Sequence, residues 1–547
     1  MSRARPHRSL LACALIAHVA AAQDLYVDGA NGDDSNDGLS MATAWKTIQK
    51  SFDSASPGST VWISEGTYVE HPVLHVSGLP GQPITFQNEP GELVSIDGDP
   101  ILGSTIVTIE DRSHIVIRGL RIQNLIMPDA VGLLIRATPS GGVEDVRIAR
   151  CPIRWINWTS DPLAIPGPDD NAQPLIVYGE GLDSANAISD LRLDSLNVYE
   201  NITGFSEAIS IDGNVNGFVV NECDVHDNTN IGILAAGGYG VSANVTVDRA
   251  RNGNITKNRC WNNVSSYATS GGIYLDGAQG VLLMYNRCWG NGYGIEIGCE
   301  QDGATEACYV LDNELRSNLI AGLAIGGYDT GTTGVVAQCW VRNNTFFNND
   351  LLNTGSGEVY ITKAVNCFFR NNLFSCGEQG VLLTKEDIAP QSNIQFDFDL
   401  WHAPDVDPAD VEVNWGTSTL TGFGSYLVTS GWDAHGLYAD PCFVDPSPID
   451  PDLSISSNSP AIDAGQNGGG FPGETDIVAS PRVVNDTVDI GAYEFQIPLT
   501  LAGTDRETLG VFPNPTENLI HLSTALPLFH IDLQDVHGSL VRTWRGD

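Results

Sequence analysis

From about residue 258 the chain repeats one pattern. A short apolar run, such as Val281 to Tyr285, Cys308 to Leu311, Cys339 to Val341 or Cys367 to Phe369, precedes an asparagine. A glycine-led strand then follows, reading GIYL, GIEI, GLAI or GVLL. The asparagines fall in one frame: Asn258 and Asn263, Asn286 and Asn291, Asn313 and Asn318, Asn343 and Asn348, then Asn371. First members are spaced 28, 27, 30 and 28 residues apart. Each repeat therefore holds two or three short β-branched strands and their turns, with no helical periodicity.

Units this small cannot bury a face alone, but stacked they share a continuous core. The period matches one coil of a right-handed parallel β-helix, predicted over residues 23–400. Asparagines at the same turn of successive coils are expected to hydrogen-bond one another and satisfy turn backbone, a structural role. Cys308, Cys339 and Cys367 are expected to share one slot and Cys223, Cys260 and Cys288 another, as stacked core thiols beside outward Trp261 and Trp289.

The remaining segments read differently. Residues 1–22 carry Arg3, Arg5 and Arg8, an apolar run from Leu10 to Val19, then Ala20 to Ala22, which predicts a cleaved secretory signal. No later stretch is long and apolar enough to span a membrane. The mature chain keeps ten cysteines, which permits disulfides without requiring them. Trp45, Ile48 and Phe52 have helical spacing and predict a helix capping the first coil. Asp28, Asn31, Asp33, Asp34, Asn36 and Asp37 form an acidic loop, readable as a calcium site or as a solvated turn. No other cofactor is expected.

A net charge of −40, from 27 basic and 67 acidic residues, argues against a nucleic-acid partner. A hydrophobic share of 42% excludes disorder. Ser/His/Asp machinery, a P-loop and a dinucleotide fingerprint are all missing.

Chemistry concentrates on one strand pair. If Ile273 and Leu275 point inward, Tyr274 and Asp276 point outward. Aligning Ile273 with Ile295 one coil later sets Glu296 beside Tyr274 and diagonal to Asp276, with Cα atoms about 8 Å apart. Two carboxyl groups so placed suit a glycosidic bond, one as acid and the other as nucleophile or base. A Glu between two isoleucines runs against strand propensity, whereas Asp276 precedes Gly277 and ISIDG repeats that arrangement around Asp212, so a turn reading stands beside the catalytic one. Neighbours expected on this face are Asp212, Tyr274, Tyr328 and Asp329, with Tyr239, Trp289 and Tyr293 on adjoining turns. Such a mixture of aromatics and carboxylates suits a sugar cleft. Lys363 and Lys385, in the matching contexts ITK and LTK, are expected to stack and offer a lowered-pKa base for a lyase.

Several segments resemble known families. Asp24 to Glu70 resembles the opening of exported bacterial, pectin-lyase-like β-helix proteins. Residues 401–497, with DPCFVDPSPIDPDLSISSNSPAIDAG and SPRVVNDTVDIGAYEF, resemble their closing region, which implies a cap over the open edge. Residues 498–547, with Pro513, Asn514 and Pro515 and later Asp535 and Gly538, resemble a truncated C-terminal sorting domain of the type IX secretion system. That likeness implies a small β-sandwich, the type IX machinery as partner, and a location at the cell surface or in the medium. Gly271 to Glu300, GGIYLDGAQGVLLMYNRCWGNGYGIEIGCE, resembles the region of β-helix β-xylosidases in which an Asp is nucleophile and a Glu on the next coil is the acid. By that likeness Asp276 is the nucleophile and Glu296 the general acid.

The reading that follows is a secreted, monomeric glycoside hydrolase acting on a neutral polysaccharide or oligosaccharide. The alternatives are a calcium-assisted polysaccharide lyase, disfavoured by the acidic charge, and a non-catalytic glycan-binding adhesin.

Overall fold

The computed structural model describes residues 23–326, 334–447, 449–468 and 474–496, and the backbone of four short strands between 510 and 545. Residues 1–22, Tyr328, Asp329, Pro513 to Pro515, Asp535 and Gly538 lie outside the described residues. Three sheets of thirteen strands each run side by side, each coil giving one strand to each sheet, and in the later coils a fourth, three-stranded sheet is added by Ala304–Glu306, Val335–Ala337 and Ala364–Val365. The chain is thus wound as a right-handed parallel β-helix. The first sheet opens at Asp24–Val27, the second at Val73–Leu74 and the third at Gly66–Tyr68. Coils continue past residue 400, through Glu412–Trp415 in the second sheet and Leu437–Tyr438 in the third.

Alternation explains the core. Ile209 and Ile211, Ile233 and Ala235, Ile273 and Leu275, Ile295 and Ile297 are fully buried, while residues between them face outward. Towards the C-terminal end the filling turns aromatic: Phe369 stacks on Phe396 at 3.9 Å and Phe374 on Trp401 at 4.1 Å.

Two asparagine ladders run through the turns. One links Asn258, Asn286, Asn313, Asn344 and Asn372 and ends on Asp399. The other links Asn201, Asn228, Asn263, Asn291, Asn318 and Asn349 and ends on Glu358. Each amide donates Nδ2 to the Oδ1 of the next coil, and the last rung finds its acceptor in a carboxyl oxygen, of Asp399 in one ladder and Glu358 in the other, both of them groups whose carboxyl burial pushes up. The predicted frame is one residue early at Asn343, Asn348 and Asn371. These three take the left-handed turn conformation, with φ of 55°, 52° and 56°, and the second Asn of each doublet enters the ladder.

All ten described cysteines are free. Cys260 faces Cys288 in register, and Cys308, Cys339 and Cys367 lie in positions that follow one another coil by coil. Cys223 departs from its predicted slot: its N–H donates to Asn258 Oδ1, which puts it at the foot of the first asparagine ladder.

At the N-terminal end helix α1 (Ile48–Ser54) buries Ile48 and Phe52 over the first coils, and Glu70 accepts from the N–H groups of Ile48 and Gln49. The acidic loop beside it is spent on turns. Asp28 accepts from Ala30 and Asn31, Asp33 from Ser35, Asp34 from Lys46 and Thr47, and Asp37 from Leu39 and Thr43. Among the described residues no three His, Cys, Asp or Glu side chains gather as metal ligands.

At the other end helix α2 (Phe423–Ser430) closes the coil, with Tyr426 and Trp401 both donating to the buried Asp433. This helix belongs to the 401–497 region expected to cap the open edge, but the later part of that region lies elsewhere. Residues 474–495 run along the flank of the coils: Tyr285 donates to the Thr475 carbonyl, Arg342 grips Glu474 at 2.6 Å, Arg482 meets Asp312 at 3.3 Å and Ala492 donates to Thr345. Residues 1–495 form one unit and 496–547 another. In the second, Gly510–Phe512 pairs antiparallel with His521–Ser523, and His530–Gln534 with Leu540–Arg545. No helix among the described residues is long and apolar enough to cross a membrane.

Candidate active site

The outer face of the second sheet carries a cleft of about 690 Å³ over the strands Glu207–Gly213, Ile231–Ala236, Gly271–Asp276 and Tyr293–Gly298. Register is as the repeat implies: Ile273 pairs with Ile295, Tyr274 with Glu296, and Asp276 with Gly298. One column of outward positions reads Ser210, Leu234, Tyr274, Glu296. Asp276 lies two residues along and one coil away from Glu296.

Glycines shape this floor. A side chain at Gly298 would come within 2.8 Å of the Tyr274 hydroxyl, so its absence lets the phenol lie over the next coil. Gly277, at φ 74°, turns the chain directly after Asp276, and Gly213, at 75°, does so after Asp212. The turn reading and the site reading of these Asp-Gly pairs therefore hold together.

Five carboxyl groups line the cleft: Glu207, Asp212, Asp276, Glu296 and Glu300. Tyr178, Phe205, Tyr239, Tyr274 and Tyr293 wall it, and among the described residues its lining holds no Lys, Arg or His. With no counter-charge, burial dominates. It pushes the Glu296 carboxyl up to about 8, with the Glu300 and Asp276 charges adding to the effect. Burial likewise raises Asp276 to about 7, Asp212 to about 6, and Glu207 well above the usual range. The tyrosines are driven the same way: burial and the facing carboxylates hold Tyr274 and Tyr239 firmly as phenols.

The two central carboxyls differ in their partners. Asp276, 1% exposed, accepts from the Tyr239 hydroxyl on Oδ2 and from the Glu300 N–H at 2.7 Å on Oδ1. Both donors favour its charged form. Tyr239 also approaches Glu300 at 3.3 Å, and Tyr274 donates to the other Glu300 oxygen at 3.3 Å. Asp212 is held by Ser210 at 2.6 Å. Burial and like charges dominate at Glu296, so its carboxyl is pushed up with the proton favoured, whereas the donors on Asp276 work against burial there.

Of the residues singled out by sequence, Asp212, Tyr239, Tyr274, Asp276, Tyr293 and Glu296 meet at this cleft. Trp289 does not. It belongs to the third sheet, where Tyr199, His226, Trp261 and Trp289 stack at 5.2, 4.0 and 5.0 Å and Arg316 closes the pile at 4.8 Å. Its strand Arg287–Trp289 precedes the turn that leads into the second sheet, so its outward side belongs to another face. Trp289→Ala is expected to cost about 1–3 kcal/mol in urea unfolding and to leave catalysis at the cleft unchanged.

The lysine stack also fails. Lys385 pairs with Ile361, two residues short of Lys363, because the matching ITK and LTK contexts are offset in register. Lys363 is buried, and Lys385 reaches Asp387 at 3.4 Å while lying over Trp415. Neither lines the cleft. Glu207 and Glu300 were missed because each stands just outside an alternating run, where the strand pattern assigns no face. Their nearness in sequence to ISIDG and to GIEIG was the available signal.

No family model matches this sequence. The chain is 30% identical over 450 residues to the uncharacterised protein YwoF of Bacillus subtilis (strain 168), an alignment spanning 80% of this chain and 92% of that protein. Solved structures that overlap it include the pectate lyase Pel9A, at TM-score 0.47 and 14% identity over 88% of this chain and 98% of that one. The GH136 lacto-N-biosidase from Eubacterium ramulus overlaps at TM-score 0.41 and 14% identity, over 70% and 64% of the two chains. The fold rests on the strand register above and not on these overlaps.

Proposed function

The chain belongs to the family of the Bacillus subtilis protein YwoF, and we propose that it is a carbohydrate-active enzyme, a glycoside hydrolase cleaving a neutral polysaccharide or oligosaccharide with Asp276 and Glu296. The observation that carries this reading is the pairing, in one walled cleft, of a proton-holding Glu296 with an Asp276 to which a phenol and a backbone N–H donate. Glu296 gives its proton to the glycosidic oxygen as the bond to the anomeric carbon breaks. The Asp276 carboxylate supplies an electron pair to that carbon. Water, deprotonated by the Glu296 carboxylate, then displaces Asp276 and restores both groups. Tyr239 and the Glu300 N–H fix the Asp276 oxygens, and the tyrosine walls offer faces to sugar rings.

A cleft lined by five carboxyls and no cation disfavours a uronate chain. The phenols, held well above neutrality, are poor bases for β-elimination. A flat adhesive face would scatter these groups, whereas they converge. The signal-like residues 1–22 support export, which makes an extracellular glycan the substrate class and the cell surface or medium the site of action.

The test is incubation of the mature chain, residues 23–547, with a panel of plant and algal polysaccharides, following reducing ends and unsaturated-uronate absorbance together. Reducing ends without the chromophore are expected. A chromophore on any substrate, or glycan binding with neither signal, sinks the hydrolase reading.

A further inference from the structure

The carboxylate cleft does not end the groove on this face. The outward column that passes through Tyr274 and Glu296 continues without a break through Ala324, Tyr360, Thr384 and Asn414. Over those later coils lies a second hollow of about 430 Å³, and Tyr293 lines both it and the carboxylate cleft. On the coil between them the outward residue is Ala324, with Ala321 directly beside Tyr293 in register, so no large side chain of that strand rises between the two hollows. Their shared wall is the Tyr293 ring.

The second hollow differs in chemistry. Thr384, Asn414, Ser356 and Ser418 line it with polar side chains, Tyr360 adds a ring, and among the described residues the one charged lining group is Glu386. Part of this lining is already engaged within the wall: the Thr384 hydroxyl and the Asn414 amide both donate to the Gly355 carbonyl, Asn414 accepts from Thr419 at 3.0 Å, and the Thr354 and Ser356 hydroxyls pair at 2.9 Å, which leaves the exposed Ser418 hydroxyl and the Tyr360 ring toward the hollow. Thr384 lies three coil spacings from Glu296, about 14 Å along the solenoid axis.

We infer that this hollow is a distal subsite for the uncharged hydroxyl-bearing rings of the same glycan, with Tyr293 as the platform over which the chain passes from one hollow to the other. The inference rests on the proposed hydrolase reading and deepens it. The substrate is an oligosaccharide laid along the solenoid axis, long enough to reach Asn414, and not a single sugar on a small leaving group. The Ser418 hydroxyl and the Tyr360 and Tyr293 rings suit a neutral sugar, while Glu386 and the acidic cleft next door oppose a uronate there.

The experiment measures binding by calorimetry to full-length Glu296→Gln, using cello-, xylo-, laminari- and manno-oligosaccharides of two and six units. The hexasaccharide of the recognised series is expected to bind at least about tenfold more tightly than its disaccharide. Ser418→Trp, made on the exposed hairpin turn that walls the hollow, is expected to bring the hexasaccharide down to the affinity of the disaccharide. A tryptophan at Val428, exposed on helix α2, serves as the control and leaves both affinities as they were. Equal affinity for the two lengths, or a hexasaccharide indifferent to Ser418→Trp, overturns the distal subsite while the hydrolase reading stands on the reducing-end assay. Binding of no oligosaccharide in the panel overturns both.

Discussion

Glu296→Gln is expected to lower kcat/KM on the responsive glycan by about 10²–10⁴-fold, because it removes the proton donor and leaves the shape of the cleft intact. The same substitution has an opposite effect on stability. The Glu296 carboxyl, about 4.5 when free, is pushed up to about 8 in the folded chain, so between those values the folded state holds a proton that the unfolded state has lost. Stability therefore falls as pH rises through that window and is level outside it. Glutamine, neutral at every pH, escapes the penalty. The variant is expected to melt higher than wild type at pH 8 and together with it at pH 4, which thermal scans at the two pH values check. Asp276 at about 7 and Glu296 at about 8 also set the kinetic window, because one must be ionised while the other keeps its proton. The kcat/KM profile is expected to be bell-shaped, with its maximum between those values, the two limbs belonging to the coupled cluster. A profile flat from pH 5 to 9, or a Glu296→Gln enzyme with full activity, refutes the assignment.

Asn286→Ala is expected to cost about 3–5 kcal/mol, one of the largest losses available to a single side chain in this protein. Asn286 Oδ1 accepts from both the N–H and the Nδ2 of Asn258, while its own Nδ2 serves Ile255 O and Asn313 Oδ1. Alanine takes a partner from all four: the Asn258 N–H loses its acceptor and the Ile255 carbonyl its amide donor, while Asn258 Nδ2 keeps only the Val220 carbonyl and Asn313 Oδ1 only the backbone N–H of residue 286. Asp at this position keeps the acceptor but loses the donor and buries a charge facing Asn313 Oδ1, so it is expected to be no better. By contrast, Asn348→Gly touches a left-handed turn outside the ladder and is expected to change stability by less than about 1 kcal/mol. Urea midpoints of the three variants check the ladder and its frame at once, since the frame read from sequence alone puts Asn348 inside it.

The solenoid was legible because its period is written in residues whose structural demands are strict. An inward isoleucine pair and a following asparagine recur only if the coils stack. What escaped was information carried by doublets and by distance. Asn343 and Asn344 look alike in a sequence, and only the backbone decides which one takes the positive φ. Lys363 and Lys385 share a context but not a register, because the coil that pairs Ile361 with Lys385 is 24 residues long while the two lysines are 22 residues apart. Asp276 and Glu296 could be placed because a single coil separates them. Glu207 and Glu300 sit at strand ends, where alternation stops assigning faces, and Trp289 was placed on the wrong face because outwardness alone does not say which of three sheets a residue belongs to. The flanking course of residues 474–495 was illegible for a further reason: its anchors, Asp312, Arg342 and Tyr285, lie more than 100 residues upstream.

That flanking course also sets a timetable. Coils made early in synthesis leave Asp312 and Arg342 without the Arg482 and Glu474 they are buried against until the chain has grown by well over a hundred residues. A chain is synthesised from its N-terminus, so these coils cannot settle into their final state while it is still emerging. The middle of the solenoid is complete only once residues 474 to 482 have been made, although its own coils are made well before them. Whatever cuts the chain before residue 474 leaves behind not a shorter stable rod but one with buried charges still waiting for their partners.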